Sequence, residues 1–469
     1  MALTSPAQYP TPSEATLKLQ FVGKQIKDVQ APAVIIDAAV VRRNCKLMLD
    51  TTEKLGLGFR AHVKTHKTIQ LSKFQVGHTS KSMKLVASTV AEIENLMPWL
   101  LESKLEGKSV NVLFGLPVSP SSIPRLANVA RILGDGSVGV FVDHPTHVKL
   151  LDAVPAEAWP GKIPAWINID VGYHREGVAP ESKQLADLGY AFAAANRVHV
   201  AGIYTHLGSS YAVSSPEEAL KDLSSELRGL EDGAVSFLKC AGAEVAAPSS
   251  GSEKITLSLG ATPTATAAQN ILHQNTELTR EYKELLEKVN KSFAVEIHAG
   301  VYPLMDMQQL ATRARPQKSS NDEGTSLLDF QTLGLRTLVE VNSLYPDRSD
   351  KQEAMVAGGS IVLGREPCKS YPGWGVVTPW PAKLGESQIY DPEGSRTGWI
   401  VGKVSQEHGN LVWEGPAEKF RKLEIGQKLL VWPNHACIAG AGFGWYLVVD
   451  SDQKDPDQII DVWVRFRGW

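Results

Sequence analysis

Three kinds of feature are scarce in this sequence, and each scarcity excludes a class of protein. Cysteine occurs only four times in 469 residues, without the regular spacing of a disulfide framework. No apolar run approaches the roughly 20 residues of a membrane-spanning helix, and the first residues lack the pattern of a secretory signal. The 48 Lys and Arg are balanced by 51 Asp and Glu, so no sustained basic surface is available for nucleic acid. We therefore expect a soluble, cytoplasmic protein with reduced thiols and with neither a membrane nor a nucleic-acid partner.

Short runs rich in Val and Ile alternate with helix-like segments from about residue 33 to residue 300. Strict alternation predicts parallel strands joined by crossover helices, because parallel neighbours need a long connection. Eight or nine repeats of this unit favour a closed TIM-type (β/α)8 barrel, with a doubly wound open sheet as the alternative. The candidate strands are "AVIID", "GFRAHV", "KLVAS", "VNVLFG", "GVFVD", "AWINID", "HVAGIYTH", "TLSLG" and "AVEIHAG".

The composition changes in the last third of the chain. Gly, Pro and Trp become frequent there, and strand-like runs such as "TLVEVNSL", "GWIVGKVS" and "QKLLVWP" follow one another without intervening helices. The sequence therefore predicts an N-terminal extension at 1–29, an α/β barrel at 30–325 and an all-β domain at 326–469. Three further stretches are predicted to be insertions without an assigned role: 247–254, 315–326 and 345–354.

The stretch "RAHVKTHKT" places Lys64 directly after a predicted barrel strand. Reactive groups gather at the C-terminal ends of such strands, because the βα loops form the open face of the barrel there. A lysine amine at that position can form a Schiff base with an aldehyde cofactor or substrate. Lys64 is therefore a candidate catalytic residue, and the alternative is an ordinary solvated lysine.

If the aldehyde is pyridoxal phosphate, the same barrel must also hold a phosphate group. The stretch "SLGATPTAT" ends a strand and offers Gly260 for close backbone approach and Thr262 as a hydroxyl donor. An ordinary strand-to-helix turn uses the same residue types, so this stretch alone does not decide the question. Further strand ends add polar side chains that are candidates for the same site: Arg175, Tyr204, His206, Tyr211 and Tyr302.

The stretch "VWPNHACIAG" in the predicted β domain holds a candidate metal motif. His435 and Cys437 are two residues apart, so on an extended segment their side chains would point to the same side. Imidazole and thiolate are preferred zinc ligands, and two protein ligands leave positions for water or substrate in a tetrahedral site. The pair is a candidate zinc site that is incomplete without such a further ligand.

These motifs together resemble those of the fold-type III pyridoxal phosphate enzymes, in which an alanine-racemase-like barrel precedes a β domain. The resemblance rests on "AHVKTHKT", "NIDVGYHREGV", "THLGSSY", "LGATPT", "EIHAGVYPLMD" and "PNHACI", in this order. More narrowly, the chain from about residue 30 onward resembles the eukaryotic D-serine dehydratase family, to which the D-threonine aldolases are related. The aldolases typically show His-x-Asp at the metal, so His-x-Cys here favours the dehydratase branch.

The resemblance implies a homodimeric lyase that eliminates the β-hydroxyl of D-serine to give pyruvate and ammonia. It implies that Lys64 carries pyridoxal phosphate, that Gly260 and Thr262 hold the phosphate, and that Zn²⁺ is bound by His435 and Cys437. Tyr204 and Tyr211 would line the cofactor, and Arg175 would lie near its phenolic side. Three alternatives stay open: a metal-dependent aldolase for D-threonine or other 3-hydroxy-D-amino acids, an amino-acid racemase, and a non-catalytic pyridoxal-phosphate-binding protein.

Overall fold

The computed structural model describes most of the chain. The described residues are 9–242, 245, 254–317, 327–348, 350–380 and 389–469. Several predicted features lie outside these residues: most of the insertions at 247–254 and 315–326, residue 349 of the insertion at 345–354, and the domain boundary between residues 325 and 326. Among the described residues, no helix has the combination of length and hydropathy that crossing a membrane requires.

Strands and helices alternate in the first two thirds of the chain, and strands predominate afterwards. The strands are β1 (Ala33–Asp37), β2 (Gly58–His62), β3 (Ser82–Ala87), β4 (Ser109–Pro117), β5 (Val138–Val142), β6 (Ile163–Asn168), β7 (Val198–Tyr204), β8 (Thr256–Leu259), β9 (Ala294–Ala299), β10 (Leu335–Tyr345), β11 (Glu353–Ala357), β12 (Gly375–Val377), β13 (Gly398–Val404), β14 (His408–Glu414), β15 (Lys428–Pro433), β16 (Trp445–Val449) and β17 (Asp461–Val464). The helices are α1 (Glu14–Phe21), α2 (Ala38–Lys54), α3 (Ile69–Val76), α4 (Val90–Leu105), α5 (Ile123–Leu133), α6 (Pro145–Asp152), α7 (Lys183–Ala193), α8 (Pro216–Ala241), α9 (Thr262–Ala267), α10 (Asn270–His273), α11 (Glu277–Asn290), α12 (Met307–Thr312), α13 (Ser360–Leu363) and α14 (Ala436–Ala439).

Strands β2 to β9 form a closed barrel, which confirms the predicted (β/α)8 architecture. Each strand pairs in parallel with the next, and β9 closes the ring against β2 with His298 opposite Arg60. The strands are short and rich in Val, Ile and Leu because both faces of a helix-covered parallel sheet are buried. Closure places the carboxyl ends of all eight strands around one opening.

A buried charge network fills part of the barrel interior. Arg60 is completely buried and donates to Glu296 Oε1 at 2.5 Å and to Asn111 Oδ1 at 2.6 Å. Lys84 Nζ lies 3.1 Å from the other oxygen of Glu296, and the Arg60 guanidinium lies 4.5 Å from the centre of the Trp166 ring. Each buried charge therefore has an opposite charge beside it, which buried ionic groups require.

The second sheet contains nine strands and confirms the predicted all-β character of the later part of the chain. Strands β10, β11, β14, β13, β12 and β15 pair in a ring, because β11 bonds both to β14 and to β10. All of these pairings are antiparallel. Strands β1, β16 and β17 extend the sheet from β10.

The sequence prediction for β1 was wrong. The run "AVIID" was expected in the barrel, but Ile35 pairs with Arg336 of β10 and with Leu447 of β16. A Val/Ile run followed by a helix has the local pattern of a βα unit, and only distant pairing distinguishes the two cases. Asp37 ends β1 and caps α2 by accepting from Ala39 N at 3.1 Å.

Candidate active site

The carboxyl ends of the barrel strands and the β domain line one cavity of about 540 Å³. An adjoining cavity shares several of the same side chains and adds Tyr204. The structure therefore brings together nine of the ten predicted site residues. They are Lys64, Arg175, Tyr204, His206, Tyr211, Gly260, Thr262, His435 and Cys437.

Lys64 lies on a tight turn that follows β2. Its backbone N–H donates to His62 Nδ1 at 3.4 Å. The turn ends at Lys67, which has a φ of 51° and whose side chain pairs with the buried carboxylate of Glu92 at 2.8 Å. The carbonyl of Lys67 accepts a hydrogen bond of 2.7 Å from the N–H of Phe466. The turn is therefore held both by the barrel and by residues far along the chain.

The two histidines that flank Lys64 face different surroundings. His62 lines the cavity, and its pKa is lowered well below its ordinary value, first by burial and then by the charge of Lys64. His66 is completely buried, with Nε2 2.9 Å from Gln75 Oε1 and Nδ1 3.2 Å from Thr68 Oγ1. Burial lowers the pKa of His66 to about 3. His62 is thus part of the site, whereas His66 is a hydrogen-bonded core residue.

His206 and Gly260 connect the loops that follow β7 and β8. The Nδ1–H of His206 donates to the Gly260 carbonyl at 2.9 Å, which leaves Nε2 as the unprotonated nitrogen of a neutral ring. Burial, with the charges of Lys64 and Arg175, lowers the pKa of His206 to about 3. Gly260 has a φ of 137°, and a Cβ there would lie 2.4 Å from the carbonyl oxygen of His298. Glycine is the residue that fits at this position.

Small residues from two loops line one side of the cavity, and we call Gly208, Ser209, Gly260, Ala261 and Thr262 the anion cradle. The hydroxyl of Thr262 accepts from the N–H of Val301 at 3.2 Å, which ties the loop after β8 to the loop after β9. Backbone N–H groups and hydroxyls of small residues are the donors that surround phosphate groups in proteins. The cradle therefore fits an anionic group of a ligand.

Tyr204 and His298 form a stacked pair beside the cavity. Their ring centres are 3.9 Å apart and their planes differ by 11°. His298 Nδ1 lies 3.0 Å from Ser258 Oγ, while its buried Nε2 has no hydrogen-bond partner among the described residues. Burial lowers the pKa of His298 well below its ordinary value and raises that of Tyr204. The pair provides a rigid aromatic surface and one unused ring nitrogen.

Tyr302, the tenth predicted site residue, does not line either cavity. Its side chain is buried against Cys45 and Gln75, and its ring packs perpendicular to Phe59 at 5.6 Å. That Tyr302 contacts the cofactor stays a prediction from the sequence. Val301 is the residue that reaches the cavity.

His435 and Cys437 line the same cavity from the β domain. They are not on an extended segment as the sequence suggested: β15 ends at Pro433, His435 precedes α14, and Cys437 lies within that one-turn helix. Asp306 Oδ2 accepts from the N–H of Ala436 at 2.9 Å and so fixes the start of the helix. A barrel residue therefore helps to position the pair.

The electrostatics of the pair favour an ionised thiol. Burial alone would raise the pKa of Cys437, but hydrogen bonding and charge from His435 outweigh it and lower the pKa. For His435 the opposite holds: burial by itself would lower its pKa, but Cys437 and Asp306 outweigh burial and raise the pKa to about 9. Cys437 Sγ lies 3.1 Å from Thr65 Oγ1, and His435 Nδ1 has no hydrogen-bond partner in the described residues. Within the part of the chain that the structure describes, no group of three His, Cys, Asp or Glu forms a complete metal site.

Sequence analysis missed three polar cavity residues that come from α12 and the segment after α13. Gln308, Glu366 and Lys369 line the cavity. Lys369 Nζ donates to the carbonyl of Ala212 at 2.9 Å and to Ser214 Oγ at 3.1 Å, so it joins the β domain to the loop after β7. These residues follow no motif spacing, and only the packing of the second sheet on the barrel brings them to the cavity.

Comparison with known proteins agrees with this arrangement. A family described as "Alanine racemase, N-terminal domain" matches residues 36–243, and one described as "Putative serine dehydratase domain" matches residues 334–449. The D-serine dehydratase of Schizosaccharomyces pombe is 33% identical, covering 97% of this chain and 95% of that protein. The D-serine dehydratase of Saccharomyces cerevisiae is 30% identical, covering 96% and 99% of the two chains.

A solved structure shows the same fold. D-threo-3-hydroxyaspartate dehydratase from Delftia sp. HT23 superposes with a TM-score of 0.69 at 22% identity, covering 95% of this chain and 100% of that one. The barrel with its following β domain is thus the alanine-racemase-like architecture that the motifs predicted. On the strength of the near full-length relatives, the chain belongs to the D-serine dehydratase family of lyases.

Proposed function

We propose that this protein converts D-serine to pyruvate and ammonia, with pyridoxal phosphate bound through Lys64 and zinc bound through His435 and Cys437. One observation carries the proposal: the amine, the imidazole and the thiol line a single cavity although they come from the barrel and the β domain. The names of the two near full-length relatives support the same reaction.

The cavity fits pyridoxal phosphate in three respects. It contains a primary amine, an anion cradle of small residues and a stacked aromatic pair. The absence of a side chain at Gly260 lets the cradle loop pack closely against the carbonyl of His298, with which a Cβ would collide. When bound, pyridoxal phosphate supplies an electron-withdrawing ring that makes the Cα–H of an amino acid acidic.

In this proposal Lys64 accepts the proton that leaves Cα. The turn after β2 brings Lys64 to the cavity. A positioned amine can act as a general base. His62, His206 and His298 have pKa values lowered chiefly by burial, so they are neutral near pH 7. They orient groups by hydrogen bonds and add no charge around the amine.

His435 and Cys437 fit zinc as an incomplete ligand pair. The buried Nδ1 of His435 has no hydrogen-bond partner among the described residues, and the pKa of the Cys437 thiol is lowered toward the ionised form that binds metals. Two protein ligands leave positions for water and for the substrate hydroxyl. When bound, zinc stabilises the developing negative charge on the departing hydroxyl oxygen.

Substrate profiling with metal control tests the proposal. Purified protein supplied with pyridoxal phosphate is assayed for pyruvate from D-serine, L-serine and D-threo-3-hydroxyaspartate, and for glycine and acetaldehyde from D-threonine. We expect pyruvate from D-serine, loss of the reaction after chelation and recovery with zinc. Glycine and acetaldehyde from D-threonine, without pyruvate from D-serine, would instead identify an aldolase. Binding of the cofactor with no turnover of any of these compounds would identify a non-catalytic protein.

We also propose that the protein acts as a homodimer in the cytoplasm. Leu116, which lines the adjoining cavity, is 45% exposed, and Ile438, next to Cys437, is 42% exposed. Both side chains offer apolar area beside the cavity that a second copy would cover in a symmetric dimer. Sedimentation velocity at micromolar concentration gives the mass, and a monomer would contradict this proposal.

A further inference from the structure

A carboxyl group lies inside the protein directly behind the anion cradle. Glu226 is on α8 and is completely buried, on the same helix face as Leu223, Leu227 and Leu230. A charged residue type on the apolar face of a helix is uncommon unless its polar atoms are used. The mechanism proposed above gives Glu226 no role.

The carboxyl of Glu226 faces both loops that form the anion cradle. Its Oε1 accepts from the N–H of Leu207, in the loop after β7, at 3.0 Å. The N–H of Gly260 and the hydroxyl of Thr264, at the loop after β8, face the same carboxyl. The other oxygen, Oε2, is buried and makes no hydrogen bond of ordinary geometry with the described residues.

The two loops are also joined directly. One hydrogen bond between them runs from His206 to the Gly260 carbonyl, on the cavity side of the loops. Glu226 lies on the helix side, so the two contacts hold the loops from opposite faces. Removing the carboxyl leaves the N–H of Leu207 buried without an acceptor, and an unsatisfied buried N–H is costly enough to move a loop.

We propose that Glu226 is a positioning residue for the anion cradle, whose carboxyl holds the loops after β7 and β8 at the separation at which both contact the phosphate of the cofactor. This inference rests on the proposed function, because the phosphate belongs to the proposed cofactor. It concerns the protein's affinity for the phosphate and not the chemical step.

The protonation of Glu226 follows from its surroundings. Burial raises the pKa to about 8, against hydrogen bonding from Leu207, Thr264 and Gly260. The titratable groups that face it are Asp222 on the same helix, Tyr204 from β7 and Tyr282 from α11. The carboxyl is therefore neutral below about pH 8. As the pH rises through that value, a negative charge forms behind the cradle and weakens the binding of a phosphate.

Paired titrations with pyridoxal phosphate and with pyridoxal, which lacks the phosphate, isolate the cradle from Lys64. Both aldehydes react with the same amine, so the ratio of their dissociation constants reports the phosphate contacts alone. For Glu226→Leu we expect the dissociation constant for pyridoxal phosphate to rise about tenfold, while that for pyridoxal changes less than threefold. A matched control is Tyr282→Phe, which removes a neighbouring buried hydroxyl that does not contact the cradle, and there the ratio should stay unchanged. Equal losses for both aldehydes in Glu226→Leu, or no loss, would overturn the inference.

A second variant keeps the test decisive if Glu226→Leu does not fold. Glu226→Gln preserves an acceptor for the N–H of Leu207 and cannot ionise. Near pH 7 the ratio of its dissociation constants for pyridoxal and pyridoxal phosphate should stay within threefold of the wild-type ratio. Between pH 7 and pH 9 the preference for pyridoxal phosphate over pyridoxal, measured as the ratio of their dissociation constants, should fall in the wild type and stay constant in Glu226→Gln. Parallel pH profiles of the two proteins would contradict the inference. A wild-type protein that binds neither aldehyde contradicts the proposed function itself, whereas normal binding with an unaffected ratio contradicts only the role of Glu226.

Discussion

The two sides of the cavity are built differently. The barrel side is cross-connected: His206 bonds to the Gly260 carbonyl, and the hydroxyl of Thr262 accepts from Val301, so adjacent loops fix one another. The β-domain side depends on one short helix, α14, whose start is held by Asp306 of the barrel. The loops of the cofactor side are therefore held mainly by one another, with the hydrogen bond from Phe466 to the carbonyl of Lys67 as a contact from the end of the chain. The metal side requires the β domain to pack correctly on the barrel. Changes on the two sides should separate cofactor binding from metal binding.

The largest effect is expected for Lys64→Ala, which removes the amine from the barrel side. We expect the absorbance of covalently bound pyridoxal phosphate to disappear and pyruvate formation to fall by about 1000-fold or more, because both the Schiff base and the general base are lost. Zinc content should stay near that of the wild type, as measured by atomic absorption. A variant that still shows the bound-cofactor absorbance would mean that another amine holds the cofactor.

The next largest effect is expected for Cys437→Ala, which changes only the metal side. Zinc content and pyruvate formation should both fall, the latter by about 100-fold, because the leaving hydroxyl loses its stabilising cation. The cofactor absorbance should persist. Cys368→Ala is the matched control, since this buried thiol contacts Ser370 and does not line the cavity. Undiminished elimination by metal-free Cys437→Ala would rule out the zinc role.

Glu296→Gln tests the barrel alone, without touching either side of the cavity. Burial by itself would raise the pKa of Glu296, but the charges of Arg60 and Lys84 outweigh it and lower the pKa from 4.5 to about 2. The ion pairs therefore stabilise the fold fully above about pH 5, and this contribution is lost as the pH falls toward 2. At pH 7 the variant should lose about 3 kcal/mol of unfolding free energy, because Arg60 stays buried without its counter-charge. Denaturant unfolding of both proteins at pH 7 and pH 4 measures this, and equal stabilities would show that the network contributes nothing.

The smallest effect is expected for Tyr302→Phe. Its hydroxyl faces Cys45 and Gln75 and not the cavity, so the affinity for pyridoxal phosphate should change less than twofold. Fluorescence titration with the cofactor measures the change. A tenfold loss would mean that Tyr302 contacts the cofactor after all, as the sequence motif suggested.

Sequence patterns predicted those features that depend on local spacing. The eight barrel strands follow from repeated strand and helix patterns, and Lys64 follows from its place at a strand end. The role of β1 was not predictable, because its partners β10 and β16 lie about 300 residues or more along the chain and its local pattern matches a barrel strand. The one-turn helix around Cys437 was missed because four residues carry too little periodicity to distinguish a helix from an extended segment.

Glu226 shows a signal that sequence reasoning could have used. Its position on α8 falls on the stripe of buried apolar residues that includes Leu223 and Leu230. An acidic residue within such a stripe predicts a buried polar contact, although not which group it contacts. The partner, the N–H of Leu207, has no sequence signature because every residue except proline carries a backbone N–H.

The hydrogen bond from Phe466 to the carbonyl of Lys67 has a consequence for biosynthesis. Lys64 leaves the ribosome early, but the residue that secures its turn is made roughly 20 to 80 seconds later, at about 5 to 20 residues per second. Until then the nascent barrel carries Lys64 on a turn that lacks the hydrogen bond from Phe466. The turn that carries Lys64 is therefore complete only after nearly the whole chain has been synthesised.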